Sequence, residues 1–286
     1  MAEDDGALAR AGQGPHAACQ PGMEDLSASS GLPLWLNAHE HCLVLALPET
    51  HLAAEPQPLQ AMRRVLANPE APGPEVLYWV YRDVDLPTDA GVFAENGVRH
   101  GLWLVRAGKV GAEYTKTWGH VPTCPDGLLC PEVYGVLHGR ALFLLQQVVE
   151  ALESPATALA VADVRWIHAH VGQKVVVPSG YGVVIANVGD VPLVLSSLVS
   201  ADAWPVHLAY ERMRGAAYYI TEREGQQAFE QNLHYAAPLP PLREDAPLQS
   251  PDLGISTQEP LYSAFVHQPE RFAWLREGAP ALAGVG

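Results

Sequence analysis

The stretch that most constrains the fold runs from Gly108 to Gln146, GKVGAEYTKTWGHVPTCPDGLLCPEVYGVLHGRALFLLQ. It reads as a Gly-marked turn, a His-bearing strand and a carboxylate-bearing strand. A His138-Gly139-Arg140 tip then leads to a further strand, the pattern of a hairpin. A second stretch, Val175 to Ser196 (VVVPSGYGVVIANVGDVPLVLS), adds two or three strands with turns at PSGYG and NVGD. Many short β-branched and aromatic runs ended by Gly and Pro, with few long helical patterns, predict an all-β barrel or sandwich. No internal repeat, GxGxxG or P-loop is present.

The remaining segments fit around this pair. Residues 1–31 lack any sustained period and read as a flexible N-terminal tail. Leu32 to Leu47 reads as a strand, where His39 and His41 would share one face beside Glu40 and Cys42, as a polar surface patch. Pro58 to Ala67 has helical spacing. Val76 to Val84, His100 to Gly108 and Ala112 to His120 read as strands. From Gln147 to Val164 a helix-compatible piece broken by Ser-Pro suggests an expanded hairpin loop. Tyr210 to Ile220 and Glu222 to Asn232 read as mixed or helical. These readings set one domain over residues 32–232, including its N-terminal lead-in, and a Pro-rich C-terminal extension over 233–286. That extension would cross the surface and end in the apolar cluster YSAFVHQPERFAWL, packed back on the domain or on a partner.

Composition removes several classes of function. Seventeen Lys and Arg against 32 Asp and Glu give a formal net charge of −15, which excludes a nucleic-acid backbone as partner. An anionic substrate then depends on local donors. No run reaches the ~18 apolar residues of a membrane span, and the acidic start MAEDDGALAR has no secretory pattern. Four cysteines, Cys19, Cys42, Cys124 and Cys130, do not make a disulfide framework at this length. A reducing cytoplasm is the expected location.

EYTKTWGH, PEVYGVLHGRALFLLQ and VVVPSGYGVVIANVGDVPLVLSSLV together resemble the two motifs of a cupin. More narrowly, they resemble the cupin-type glucose-6-phosphate isomerases of archaea and some bacteria, over about Leu77 to Tyr219. The resemblance implies a double-stranded β-helix (jelly-roll) barrel, with flanking helices and irregular N- and C-terminal extensions. It also implies a metal held by three imidazoles and one carboxylate. Thr117, Gly119 and His120 fit the family's T-x-G-H-x-H, and Pro131-Glu132-Val133-Tyr134 its P-E-V-Y. The second imidazole of the first motif falls on Pro122, however, and that of the second motif on Val183. Only His120 and Glu132 remain as ligands for a divalent iron, manganese or zinc, so a metal-free site is the alternative. Cys130, two residues before Glu132, is a candidate substitute donor, whereas His168 and His170 alternate on a strand that precedes the second motif and lies away from the cavity. His138, in the tip, reads as solvent-facing.

By the same resemblance Tyr78, Thr117 and Gly119 seat a phosphate, although a further Thr is replaced by Trp103 and an acidic residue by Gly135. Glu132 is the acid/base and Tyr134 a supporting donor. The implied activity is the interconversion of glucose 6-phosphate and fructose 6-phosphate, a step of glycolysis and gluconeogenesis, in a homodimer. Two alternatives remain open. One is a repurposed cupin that takes a different, more apolar small molecule in a specialised biosynthetic pathway; the other is a non-catalytic pseudoenzyme.

Overall fold

The computed structural model describes residues 22–47, 52–149 and 158–277. An N-terminal sheet is formed by β1 (Met23–Asp25), β2 (Leu34–Asn37) and β3 (Cys42–Leu45). The next strands are β4 (Ala54–Pro58), β5 (Val76–Tyr81) and β6 (Val98–Val105), then the short β7 (Lys109–Val110), β8 (Glu113–Tyr114) and β9 (Val121–Thr123). Next come β10 (Glu132–His138), β11 (Arg140–Val149), β12 (Ala160–His170), β13 (Lys174–Val177), β14 (Gly182–Asn187) and β15 (Leu193–Ser200). The last are β16 (Trp204–Val206), β17 (Tyr218–Arg223), β18 (Gln226–Gln231) and β19 (Leu242–Asp245).

Two sheets face each other. One has six strands in the order β13-β10-β15-β6-β5-β4, the other four in the order β14-β11-β12-β19. From β10 to β15 the chain crosses between the sheets at β10–β11, β12–β13, β13–β14 and β14–β15, which is jelly-roll winding. The chain is thus an all-β cupin barrel, as the motifs imply.

Alternation along the six-stranded sheet separates two cores. Tyr134, Val136, Val105, Leu193 and Leu195 point between the sheets and meet Leu142, Leu144 and Ile185. Val133, Leu137, Leu102, Leu104, Val194 and Leu198 point outward into a second core. That outer core is closed by Leu34, Leu36, Leu43 and Leu45 of the N-terminal sheet, and by Phe265, Phe272, Trp274 and Leu275 near the C-terminus. Because both faces are covered, these strands read as nearly continuous apolar runs. The helix Leu261–His267 carries Phe265, while β19 pairs in parallel with β12 from Val164↔Leu242 to Ile167↔Asp245. Residues 242–275 are therefore part of the packed fold. Residues 1–21 lie outside the described residues, whereas Met23–Asp25 of the expected tail is strand.

Several local expectations are corrected. The tip at Gly139 does not join a hairpin, because β10 and β11 belong to different sheets. Gly139 has φ +80°, and a Cβ there would come 2.7 Å from the Pro192 carbonyl oxygen, so it acts as a corner between layers. The hairpin is instead β11–β12, register Arg140↔His170 to Val149↔Ala160; residues 150–157 of its connection lie outside the described residues. His138 is not solvent-facing: its ring nitrogens lie 2.6 Å from the Pro192 carbonyl and 2.7 Å from the Glu24 carboxylate. His39 and His41 do not share a strand face but sit in the β2–β3 turn, where His41 adopts φ +53° and stacks on Trp79. The Glu222 to Asn232 segment is not helical. Glu224 and Gly225, both at positive φ, make the two-residue turn that pairs β17 with β18. Finally, Cys124 and Cys130 form a disulfide, with Cα atoms 5.9 Å apart.

His100, on the outward face of β6, is 2% exposed between Phe93 and Tyr262. Its Nδ1–H donates to the Val84 carbonyl at 2.6 Å, while Nε2 is buried without a partner. Burial pushes this imidazole from its ordinary 6.5 down to about 4, against the opposing effect of the Val84 bond. In the unfolded chain the ring takes a proton near pH 6.5, but in the folded protein only near pH 4. Stability from this group is complete above pH 6.5 and falls as pH drops toward 4, by about 3 kcal/mol in all. Replacing the ring by His100→Asn, which keeps a donor near the Nδ1 position, is expected to flatten the loss of Tm between pH 6.5 and 4; the check is thermal melting across that range.

Candidate functional site at the barrel mouth

His120 follows a glycine that only a missing side chain allows. Gly119 has φ +94°, and a Cβ would lie 2.6 Å from the Tyr210 ring and 2.8 Å from Val184. This tight turn aims His120 into the barrel, where its backbone exchanges hydrogen bonds with Val183 of β14 at 3.1 and 2.9 Å. Glu132 opens β10, opposite Val199 of β15, which in turn lies opposite Arg99 of β6. Glu132, Tyr134 and Val136 share the inward face by alternation.

These placements bring His120 and Glu132 together. His120 Nε2 lies 3.0 Å from Glu132 Oε2, with the side chains 7% and 5% exposed. Trp103 lies parallel to the His120 ring at 6.2 Å, stacks with Tyr78 at 6.0 Å and meets Tyr134 edge-on at 6.1 Å. It occupies the middle of the cavity where the resemblance expects a smaller hydroxyl residue. The Tyr134 hydroxyl is buried with no partner at good hydrogen-bond geometry, and Glu132 is the side chain placed to accept from it. Burial, and then the charge of Glu132, hold its phenol well above the ordinary range, so it stays protonated.

The expected phosphate seat is engaged by the protein itself. The Tyr78 hydroxyl accepts from the Trp118 amide at 3.3 Å, and burial raises its phenol. Thr117 Oγ1 accepts from the Ile185 amide at 3.0 Å. The Gly119 carbonyl accepts from His207 Nδ1 at 2.7 Å.

The residues present do not fit a metal. Pro122 and Val183 offer no donor, and Val183 faces His120 across a backbone bridge. Cys130 is bound to Cys124 rather than free as a thiolate. His120 and Glu132 are bonded to each other, and among the described residues no group of three His, Cys, Asp or Glu could hold an ion. Two donors fall short of the three protein ligands that a catalytic centre ordinarily supplies.

Two crevices of about 50 and 40 Å³ reach this pair from outside. Both are walled by Arg82, Arg99, Trp103, Glu132 and Val199; His120 and Pro122 line the smaller. Neither arginine was singled out from the sequence. Period-2 spacing held the signal, since Arg99 lies on the face of Gly101 and Trp103, and Arg82 on that of Tyr78 and Val80. His207 also went unnoticed. It reaches His120 from beyond β16, at 6.1 Å ring to ring, and burial lowers its affinity for a proton; no local pattern marks it.

A jelly-roll barrel with its polar groups at the mouth, on the two characteristic motifs, defines a cupin. The family model for glucose-6-phosphate isomerase (GPI) matches residues 51–238, more than half of the chain, and the chain belongs to that family. No curated protein sequence matches it. Among solved structures it is similar to vicilin from Capsicum annuum, at 12% identity and TM-score 0.30 over 45% of this chain and 30% of that one. Oxalate decarboxylase of Lactobacillus farciminis in its formate complex gives 17%, TM-score 0.30, and 45% and 30% coverage. Bacillus subtilis oxalate decarboxylase, a protein with Mn(II) centres, gives 20%, 0.30, and 47% and 28%. The chain therefore spans under a third of each of these proteins. No helix among the described residues is long and apolar enough to cross a membrane.

Gly119→Ala forces both a disfavoured φ and a clash with the Tyr210 ring, at an expected cost of about 2–4 kcal/mol. Urea denaturation measures it, and a change below about 0.5 kcal/mol would contradict the turn's role in aiming His120.

Proposed function

We propose that the protein is a sugar-phosphate aldose–ketose isomerase, interconverting glucose 6-phosphate and fructose 6-phosphate without a metal. The observation that carries this reading is the buried His120–Glu132 contact beside two arginines, in a chain of this family. The reaction moves one proton between C2 and C1 and redistributes another between O1 and O2. Glu132 takes the C2 proton of the aldose and returns it to C1. His120 Nε2 holds Glu132 Oε2, leaving the other carboxylate oxygen for the carbon acid. A carboxylate in hydrogen-bond reach of its proton supplies about 10²–10⁴-fold. The protonated Tyr134 hydroxyl, unpartnered and on the same face, steadies the carboxylate or the developing enediolate oxygen.

NMR-monitored conversion of fructose 6-phosphate by chelator-treated protein tests this. Turnover is expected to persist in chelator, and Glu132→Gln to lower kcat at least about 10²-fold with the fold intact. Absence of turnover by folded protein, with or without added iron, manganese or zinc, would sink the proposal.

A second reading has one observation in its favour. A cavity of about 520 Å³, bordered by Val121, Leu129, Val148, Leu159, Val206 and Leu208, lies beside the barrel mouth and is of ligand size. It fits the repurposed cupin with an apolar small molecule. Thermal stabilisation by apolar ligands and none by sugar phosphates would favour that reading over the isomerase.

A further inference from the structure

We infer that Arg82 and Arg99 form the seat for the substrate's phosphate at the barrel mouth, replacing the deep seat of Tyr78, Thr117 and Gly119. This rests on the isomerase reading for the identity of the ligand, a phosphate monoester, but on the structure for the place.

The deep seat is buried and screened by Trp103. The Tyr78 hydroxyl and Thr117 Oγ1 already accept backbone amides, and the Trp103 indole covers Tyr78 from the side of the crevices. The Trp103 N–H is itself used, donating to Ser197 Oγ at 3.1 Å.

The mouth offers the opposite. Arg99 is fixed by a bond from Nη2 to the Ala203 carbonyl, and its Nε is buried with no partner. A buried guanidinium N–H without an acceptor is costly to leave so, and Arg99 lines both crevices. Arg82, just past the end of the neighbouring strand β5, walls the same two crevices. Its charge acts on Tyr78, Tyr134 and His207. The acidic groups nearby are Glu132, committed to His120, Asp83 in the larger crevice, and Glu55.

Glu55 gives the seat its mechanism. Both its oxygens accept from Arg82 Nε, at 3.1 and 3.0 Å, with the side chains 42% and 50% exposed. An exposed pair of this kind holds weakly. A phosphate monoester carries more charge and more acceptor oxygens, so it displaces the Glu55 carboxylate from Arg82 and takes the free Nε–H of Arg99. As Arg82 turns from Glu55, the two crevices that it walls join into one, with Glu132 in its wall. Phosphate binding and access to the base are then a single movement. Arginine suits this task because its planar fork matches phosphate oxygens.

The test is isothermal titration of the full chain with fructose 6-phosphate, with inorganic phosphate and with fructose as the uncharged control. Arg82→Gln and Arg99→Gln are each expected to weaken both phosphates about tenfold or more. Glu55→Gln, which removes the competing carboxylate, is expected to tighten them about two- to threefold. Arg82 is exposed enough that its variant keeps the fold, which circular dichroism checks for all three. Arginine variants that bind like the parent overturn the inference, as does a loss of affinity confined to Tyr78→Phe, or a folded parent chain that binds no phosphate. Arginine-dependent phosphate binding without turnover would remove the isomerase reading and leave this seat standing. Turnover unaffected by the arginine substitutions would do the reverse.

Discussion

The structure depends on burial of both faces of one six-stranded sheet. A sheet in a simple two-layer protein keeps a wet face, and its sequence alternates. Here the inward residues of β6, β10 and β15 fill the barrel while the outward ones fill a second core under the terminal segments. Each fully buried Leu or Phe side chain stabilises by about 1.5–3 kcal/mol. The outer core is therefore large enough to hold the strands rigid from behind. Rigidity at the back matters at the front, because Arg99, Glu132 and Trp103 take their mutual positions from the register of those strands.

The barrel was legible because its signals are local. Strand-length apolar runs, the Gly-Tyr-Gly turn before β14 and the Gly119-His120 pair state their geometry in a few consecutive residues. Alternation placed Glu132 and Tyr134 on one face, and the structure keeps them there. What failed was sheet membership. His138-Gly139-Arg140 has the chemistry of a hairpin tip, and only the Pro192 carbonyl packed against Gly139 shows that the chain turns a corner between layers. The β17–β18 hairpin was hidden by β18, a Gln- and Glu-rich strand at the sheet edge that lacks β-branched residues. The disulfide was equally invisible, since a six-residue separation does not reveal whether two Cα atoms approach within 5.9 Å. At the site, the losses at Pro122 and Val183 were plain, but their replacement was not. Arg82, Arg99 and His207 meet across separate strands, and nothing local links them.

The cavity has changed its chemistry in a consistent direction. Pro122 and Val183 stand where the resemblance implies imidazoles, Trp103 fills the volume, and His120 and Glu132 bond to each other. A histidine and a carboxylate that elsewhere would share an ion here share a hydrogen bond. An ion binds where several donors converge, whereas a carboxylate released from coordination is a stronger acceptor for a proton. Positive charge is supplied instead by arginines from two neighbouring strands at the rim, where a chain of net charge −15 most needs it.

The C-terminal cover is also a late arrival. The six-stranded sheet has all its strands once Ser200 has been made, yet Ile255, Phe265, Phe272 and Leu275 of its cover follow only near the end of the chain. During synthesis the outward row of Val133, Leu137, Leu102, Leu104, Val194 and Leu198 must wait, half-clad by the N-terminal sheet, for its last partners. An exposed apolar sheet face invites association with other nascent chains. The interval between Ser200 and Ile255 is thus the span in which this protein is most vulnerable, a hazard that its finished form conceals.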